Sequence, residues 1–184
     1  MEVFLLFVLY SFFGCVMENA YYYVLHKKYI SKRTLLNLPL CPVYGIAALM
    51  LAAVNGEIQN PLLLFCNGFL TVSAVELMFY LLSLKLYGVK WWDYSGLRIN
   101  FMGGVSLFYS TLWGFLNIAF AKVLHPLCRG WILSLPGTSK LLCGLFLAVY
   151  LAADLKETHR ELLKYKNGEE SLINQKFLYI KSNN

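Results

Sequence analysis

The chain has 184 residues, 59% hydrophobic and only 14% charged, with mean hydropathy +0.57, which lies outside the balance of soluble domains. Apolar residues come in long runs instead of alternating with polar ones, so the bulk of the chain belongs in lipid and no separate soluble domain is left over. The net charge of +6 does not argue for nucleic acid, because the basic residues sit in short segments between apolar runs, where membrane lipids and topology account for them.

Five spanning segments follow in order. The first, 3–25, has the length of a signal peptide but no basic leader and no small-residue cleavage site, so it is expected to stay on the protein. Cys15 after Phe12-Phe13-Gly14 lacks the small residues of a lipoprotein box and reads as a buried thiol. A basic loop with Lys27, Lys28, Lys32 and Arg33 leads to Pro39-Leu40-Cys41-Pro42-Val43-Tyr44-Gly45, which opens a short second segment ending near residue 54. Pro39, Pro42 and Gly45 can start a helix but do not sit comfortably inside one, so a broken or late-starting helix is expected there. The third segment, 62–84, carries Glu76. The loop after it holds Trp91, Trp92, Asp93, Tyr94 and Arg98, and the fourth segment, 99–121, begins with Asn100, Gly103 and Gly104. The fifth covers 131–153, and the basic tail 154–184 has the spacing of a short amphipathic surface helix.

Orientation follows from the cations. Thirteen lysines and arginines fall in the first loop, the third loop and the tail, against Lys122 and Arg129 in the fourth loop and none in the second. The positive-inside rule then puts the N-terminus outside and the tail in the cytoplasm. Trp91 and Trp92 lie at the cytoplasmic interface in this arrangement, and Trp131 at the outer one.

Sliding the sequence against itself by 58 positions brings Glu18 onto Glu76, Lys27 onto Lys85, Tyr29 onto Tyr87 and Gly45 onto Gly103. The expected fold is therefore an all-α polytopic membrane protein of about five helices: two parallel hairpin repeats, 10–54 and 68–121, plus a fifth helix. Each glutamate precedes its loop lysine by nine residues, roughly 13 Å of helix, which sets both near the middle of a core about 30 Å thick. An ionised carboxylate facing lipid there costs on the order of 2.5–3.5 kcal/mol or more, so both should face the bundle, a partner or water. One role for such acids is a neutral helix-packing contact. Duplication at matching places favours the other, a proton, cation or polar-substrate site.

Other chemistry finds no support. The five cysteines have no Cys-x-x-Cys spacing and the histidines are scattered, which argues against a metal site. No nucleophile elbow or phosphate-binding loop occurs, so the chain is read as neither an enzyme nor a cofactor protein, and any ATPase must be another polypeptide.

Ser11-Phe12-Phe13-Gly14 with Glu18, the Pro39 to Gly45 run, Glu76, and Trp91-Trp92-Asp93-Tyr94-Ser95 with Asn100 and Gly103 together resemble the CmpB-like ABC-transporter type IV membrane proteins, over about residues 10–153. The family often has an arginine after the glycine of its fourth segment, where this chain has Gly104. The resemblance implies a bacterial inner-membrane permease-like protein. Two functions follow. One is a transport subunit, paired with itself or another chain, in which Glu18 and Glu76 line a path and the cytoplasmic loops 27–37 and 87–98, with Trp91 to Tyr94 and Arg98, dock a separate ATP-binding subunit. The other is a non-transporting module, such as a sensor, immunity or assembly factor, whose acids only hold helices together.

Overall fold

Without water in the bilayer core, backbone polar groups must be satisfied internally, and the apolar runs of this chain do so as helices. In the computed structural model, which describes residues 1–27 and 35–173, α1 spans Glu2–His26, α2 Pro42–Asn55 and α3 Pro61–Tyr87. A two-stranded antiparallel hairpin follows, β1 (Asn100–Phe101) and β2 (Val105–Ser106), pairing Asn100 with Ser106 and Phe101 with Val105. Then come α4 (Leu107–Ala119), a π-helical turn (Phe120–Leu124), α5 (His125–Ser134) and α6 (Gly137–Lys166). Four stretches are long and apolar enough to cross a membrane: Glu2–Val24, Pro61–Tyr87, Leu107–Ser134 and Gly137–Lys166. The protein is an all-α, multi-pass membrane protein. Of the loop and tail cations, Lys28, Lys32, Arg33, Lys176 and Lys181 lie outside the described residues, as does the loop segment 28–34 that was expected to dock a partner.

α2 has only 14 residues, about 21 Å at 1.5 Å per residue, which falls short of the hydrocarbon thickness. Pro42 starts it and Cys41 caps it in extended conformation. The preceding residues run non-helically inside the protein, with Leu35, Leu40 and Cys41 buried. Such backbone is tolerated at membrane depth only where protein satisfies it. The Cys41 N–H donates to the Ser11 carbonyl at 3.1 Å, and the N–H groups of Asn37 and Leu38 donate to the Asp154 carboxylate of α6 at 3.1 and 2.8 Å.

Four boundaries differ from the sequence reading. The fourth span starts at Leu107, not near residue 99, because Met102 and Gly103 both take positive φ (56° and 73°), the sign pattern of a tight hairpin turn, and Ser106 caps the helix by accepting the Tyr109 N–H. That span then runs on to Ser134 instead of ending at 121. Pro126 lacks the N–H a regular α-turn would need, and the chain passes it through the π turn, where the His125 N–H reaches the Phe120 carbonyl. The fifth span starts at Gly137 and ends at Lys166, so the first part of the expected surface tail continues α6, with Asp154, Thr158 and Glu161 buried.

α1, α3 and α6 run in the same direction. Lys140 near the start of α6 meets Glu2 at the start of α1 (2.6 Å), while Lys166 at the end of α6 donates to the Leu86 carbonyl at the end of α3 (2.9 Å). The latter is the basic end of the bundle. The main core joins Leu5, Leu6 and Tyr10 of α1 to Ala47 and Leu51 of α2, Val72 and Val75 of α3, and Ile132 of α5. Leu70, Phe108, Phe115, Leu142, Phe146 and Val149 are exposed, the surface a lipid solvent requires.

Candidate functional site

The buried positions of α3, Leu64, Gly68, Val72, Val75, Glu76, Tyr80 and Ser83, recur at helical spacing and form its inward stripe. Glu76 lies on that stripe, only 6% exposed. Its Oε1 accepts the hydroxyl of Tyr94 at 3.3 Å. Its Oε2 is buried without a hydrogen-bond partner, and the same holds for the indole Nε1 of Trp113 on α4. Trp113 is near enough to act on the Glu76 carboxyl, yet the two do not meet in hydrogen-bond geometry. A buried acceptor and a buried donor are left open side by side, near enough that a small shift of either would join them.

Glu18, half-buried on α1, is within electrostatic reach of Glu76, and its Oε2 accepts the Cys41 thiol at 3.9 Å. Tyr44 of α2 has both acids and Tyr94 within reach and meets the Trp113 ring edge-on at 5.9 Å. Gly14 makes that placement possible, since any side chain there would overlap Tyr44. Tyr94 stacks on Tyr109 (4.6 Å, 22°), and the Tyr109 hydroxyl meets that of Tyr21 on α1 at 3.3 Å. Two carboxylates thus share one neighbourhood with tyrosine hydroxyls and an indole, drawn from three helices besides α3 and from the loop after it.

That loop is built to place Tyr94. The Tyr94 N–H donates to the Gly103 carbonyl (2.8 Å), Trp92 Nε1 donates to the Gly104 carbonyl (2.9 Å), and Asn100 holds both Gly103 N–H and Leu97 carbonyl. Asp93 accepts the Ser95 N–H and pairs with Lys90 at 2.9 Å; that lysine, followed by the Ser95 bonds, holds its carboxyl down at about 2. Gly103 and Gly104 lie so close to Asp93 and Tyr80 that a side chain would collide. Asn100, Gly103, Trp92 and Asp93 therefore shape the loop. Trp91 packs against Val89, Leu162 and Ile173, and Arg98 is exposed. Pro42 and Gly45 set α2, and Pro39 is an exposed residue of the segment before it.

Several partners have no counterpart in the sequence reading. Tyr94 and Trp113 join Glu76, and Asp154 anchors 37–38. A buried amide cluster forms where α2, α3 and α4 meet: Asn55 Nδ2 donates to Asn117 Oδ1 (2.9 Å), Asn67 Nδ2 to Asn55 Oδ1 (3.4 Å), and Asn117 Nδ2 to the Leu64 carbonyl (2.6 Å). Isolated asparagines in apolar runs were the available signal. Among the described residues no group of three or more histidine, cysteine, aspartate or glutamate side chains is placed to hold a metal ion.

The family model for the putative ABC-transporter type IV proteins matches residues 5–159. The chain belongs to this family. Its match covers the carboxylate site, the loop and hairpin, and α6 as far as His159. No curated protein and no solved structure matches the chain.

Proposed function

We propose that this ABC-transporter-related membrane protein is a permease-like subunit of a bacterial cell-membrane transport system, and that Glu18 and Glu76 form its proton-, cation- or polar-substrate-handling centre. The observation that carries the reading is the buried Glu76 Oε2 left without a partner beside the equally open Trp113 indole, with a second acid in reach. Acids kept only for packing would be expected to close such bonds, because each open buried group costs about 1–3 kcal/mol. Energy for transport would come from a separate ATP-binding subunit, with the basic end as its docking face. The 58-residue sequence repeat supports treating the acids as a pair, with α1–α2 and α3–α4 as the hairpins it would relate.

One specific contact favours the non-transporting alternative, the Tyr94 bond to Glu76 Oε1, which fits a structural carboxyl. Affinity purification in mild detergent, combined with Glu76→Gln and Glu18→Gln variants, separates the two. An ATP-binding subunit should co-purify with wild type and with both variants, and its coupled ATPase activity should fall at least tenfold in Glu76→Gln at unchanged protein level. Recovery of no such subunit, with the double glutamine variant supporting normal growth, would leave the acids a structural role.

A further inference from the structure

At the basic end, α3 and α6, together with Leu35, Pro42 and Val43 at the entry to α2, line a groove of about 430 Å³. Its walls are Leu82 and Leu86 of α3 and Leu155 and Leu162 of α6, with Trp91 and Trp92 among its lining. Leu82, Leu86 and Leu155 are each more than a third exposed. These leucines open the space onto the apolar surface of the bundle. At its polar end Tyr87 and His159 join across the gap, hydroxyl to Nδ1 at 2.8 Å.

Two lysines stand at the mouth. Lys85 lies three residues after Leu82 and so on the same side of α3, and Lys166 is held beside the groove by its bond to the Leu86 carbonyl. Of the acids at this end, Asp93 takes Lys90 and Glu161 takes Lys164 together with the Leu172 N–H, while Glu169 and Glu170 follow the end of α6. Among the described residues neither Lys85 nor Lys166 pairs with a carboxylate. An apolar slot closed by tryptophans and topped by two uncompensated ammonium groups matches an acyl chain beneath a phosphate.

We propose that this groove binds one anionic phospholipid, its acyl chain between α3 and α6 and its phosphate against Lys85 and Lys166. The site is separate from the carboxylate centre and stands whether or not that centre transports. A long-lived lipid here would fill the wedge between the two helices and brace the loop that carries Trp91 to Tyr94.

The test uses the full-length protein purified from membranes in mild detergent. Retained lipids are quantified by mass spectrometry, and the delipidated protein is titrated with phosphatidylglycerol or phosphatidylcholine while its Tm is followed. Wild type should retain phosphatidylglycerol several-fold over its bulk share and gain several degrees from it but not from phosphatidylcholine. Lys85→Gln with Lys166→Gln should abolish the preference, and Leu155→Trp, which fills the groove, should abolish retention. Leu142→Trp, on an exposed part of α6 far from the groove, should change neither. If Leu155→Trp does not accumulate, Leu86→Trp on the facing helix makes the same test. Equal retention of the two lipids by wild type, a preference untouched by the lysine and groove variants, or a protein cross-linked from position 155 in place of lipid would each overturn the site.

Discussion

Asp154 is 3% exposed, and its carboxylate accepts the N–H groups of Asn37 and Leu38 and the Asn37 amide. Asp154→Ala removes the acceptor of both backbone donors, while the Asn37 amide keeps Glu157. At about 1–3 kcal/mol per stranded donor, moderated because unfolded helices in a membrane also find partners, the expected loss is about 2–3 kcal/mol. Asp154→Asn, which keeps one acceptor oxygen, should fall between. Thermal unfolding in detergent measures both, and an Asp154→Ala protein as stable as wild type would mean that 35–41 is held by packing alone. In sequence Asp154 looks like the first residue of a polar tail, since it ends an apolar run. The better signal was the spacing of Asp154, Thr158 and Glu161, which puts three polar residues on one helix face. Glu76 was legible because a lone acid inside an apolar run has few places to go. Its partners were not, since nothing in the spacing of Glu76, Tyr94 and Trp113 says that a loop folds back or that α4 turns its indole inward.

At the level of elements, helix starts were readable where covalent chemistry forces them. Pro42 fixes the start of α2 because proline suits the first turn and little else in a helix. The start of α4 was hidden, because residues 99–105 are apolar enough to pass for helix and only the glycine pair hints at a turn. The passage beyond 121 was hidden too, because Lys122, Pro126 and Arg129 read as a loop while the helix absorbs the proline in a π turn. Close packing of α1 on α2 is what carries Tyr44 to the acids, and Gly45 is its tightest point. A Cβ there would overlap the Ser11 hydroxyl and stand 2.7 Å from the Phe7 carbonyl, backbone that cannot swing aside. Gly45→Ala should therefore cost about 1–3 kcal/mol by overpacking. It should also pull Tyr44 off Trp113, changing the near-ultraviolet circular dichroism. Gly130→Ala, where nothing lies within 4 Å, should be neutral or slightly stabilising because it favours helix. Equal behaviour of the two substitutions would mean that α1 and α2 have slack the packing does not reveal.

For the whole molecule, direction in the membrane follows from combining the charge pattern with helix order. α3 and α6 end where Tyr87 meets His159 and Lys166 meets the Leu86 carbonyl, and α1 starts beside α6 at the Glu2–Lys140 pair, so the described cations of the third loop and the end of α6 gather at one face. The turn between α2 and α3 lies at the other, since Leu51 of α2 packs with Leu5 and Leu6 near the start of α1. α2 alone is too short to carry the chain between faces, and the extended residues before it, satisfied by Ser11 and Asp154, supply the missing depth. We therefore propose that the chain crosses here despite a 14-residue helix, which would keep five alternating crossings. From the positive-inside rule we propose that the Met1 end and the turn at 56–60 lie outside and the end of α6 in the cytoplasm. Alkaline phosphatase fused in the 56–60 turn should be active, the same enzyme fused after Asn184 inactive, and green fluorescent protein after Asn184 fluorescent. The turn fusion is the more demanding test, because it fails if α2 only dips into the membrane and returns. An active phosphatase after Asn184 would reverse the orientation and move the docking face away from any cytoplasmic ATPase. An inactive turn fusion beside an inactive C-terminal one would instead make α2 re-entrant and remove the parallel relation of the two hairpins, leaving Glu18 and Glu76 as neighbours without symmetry.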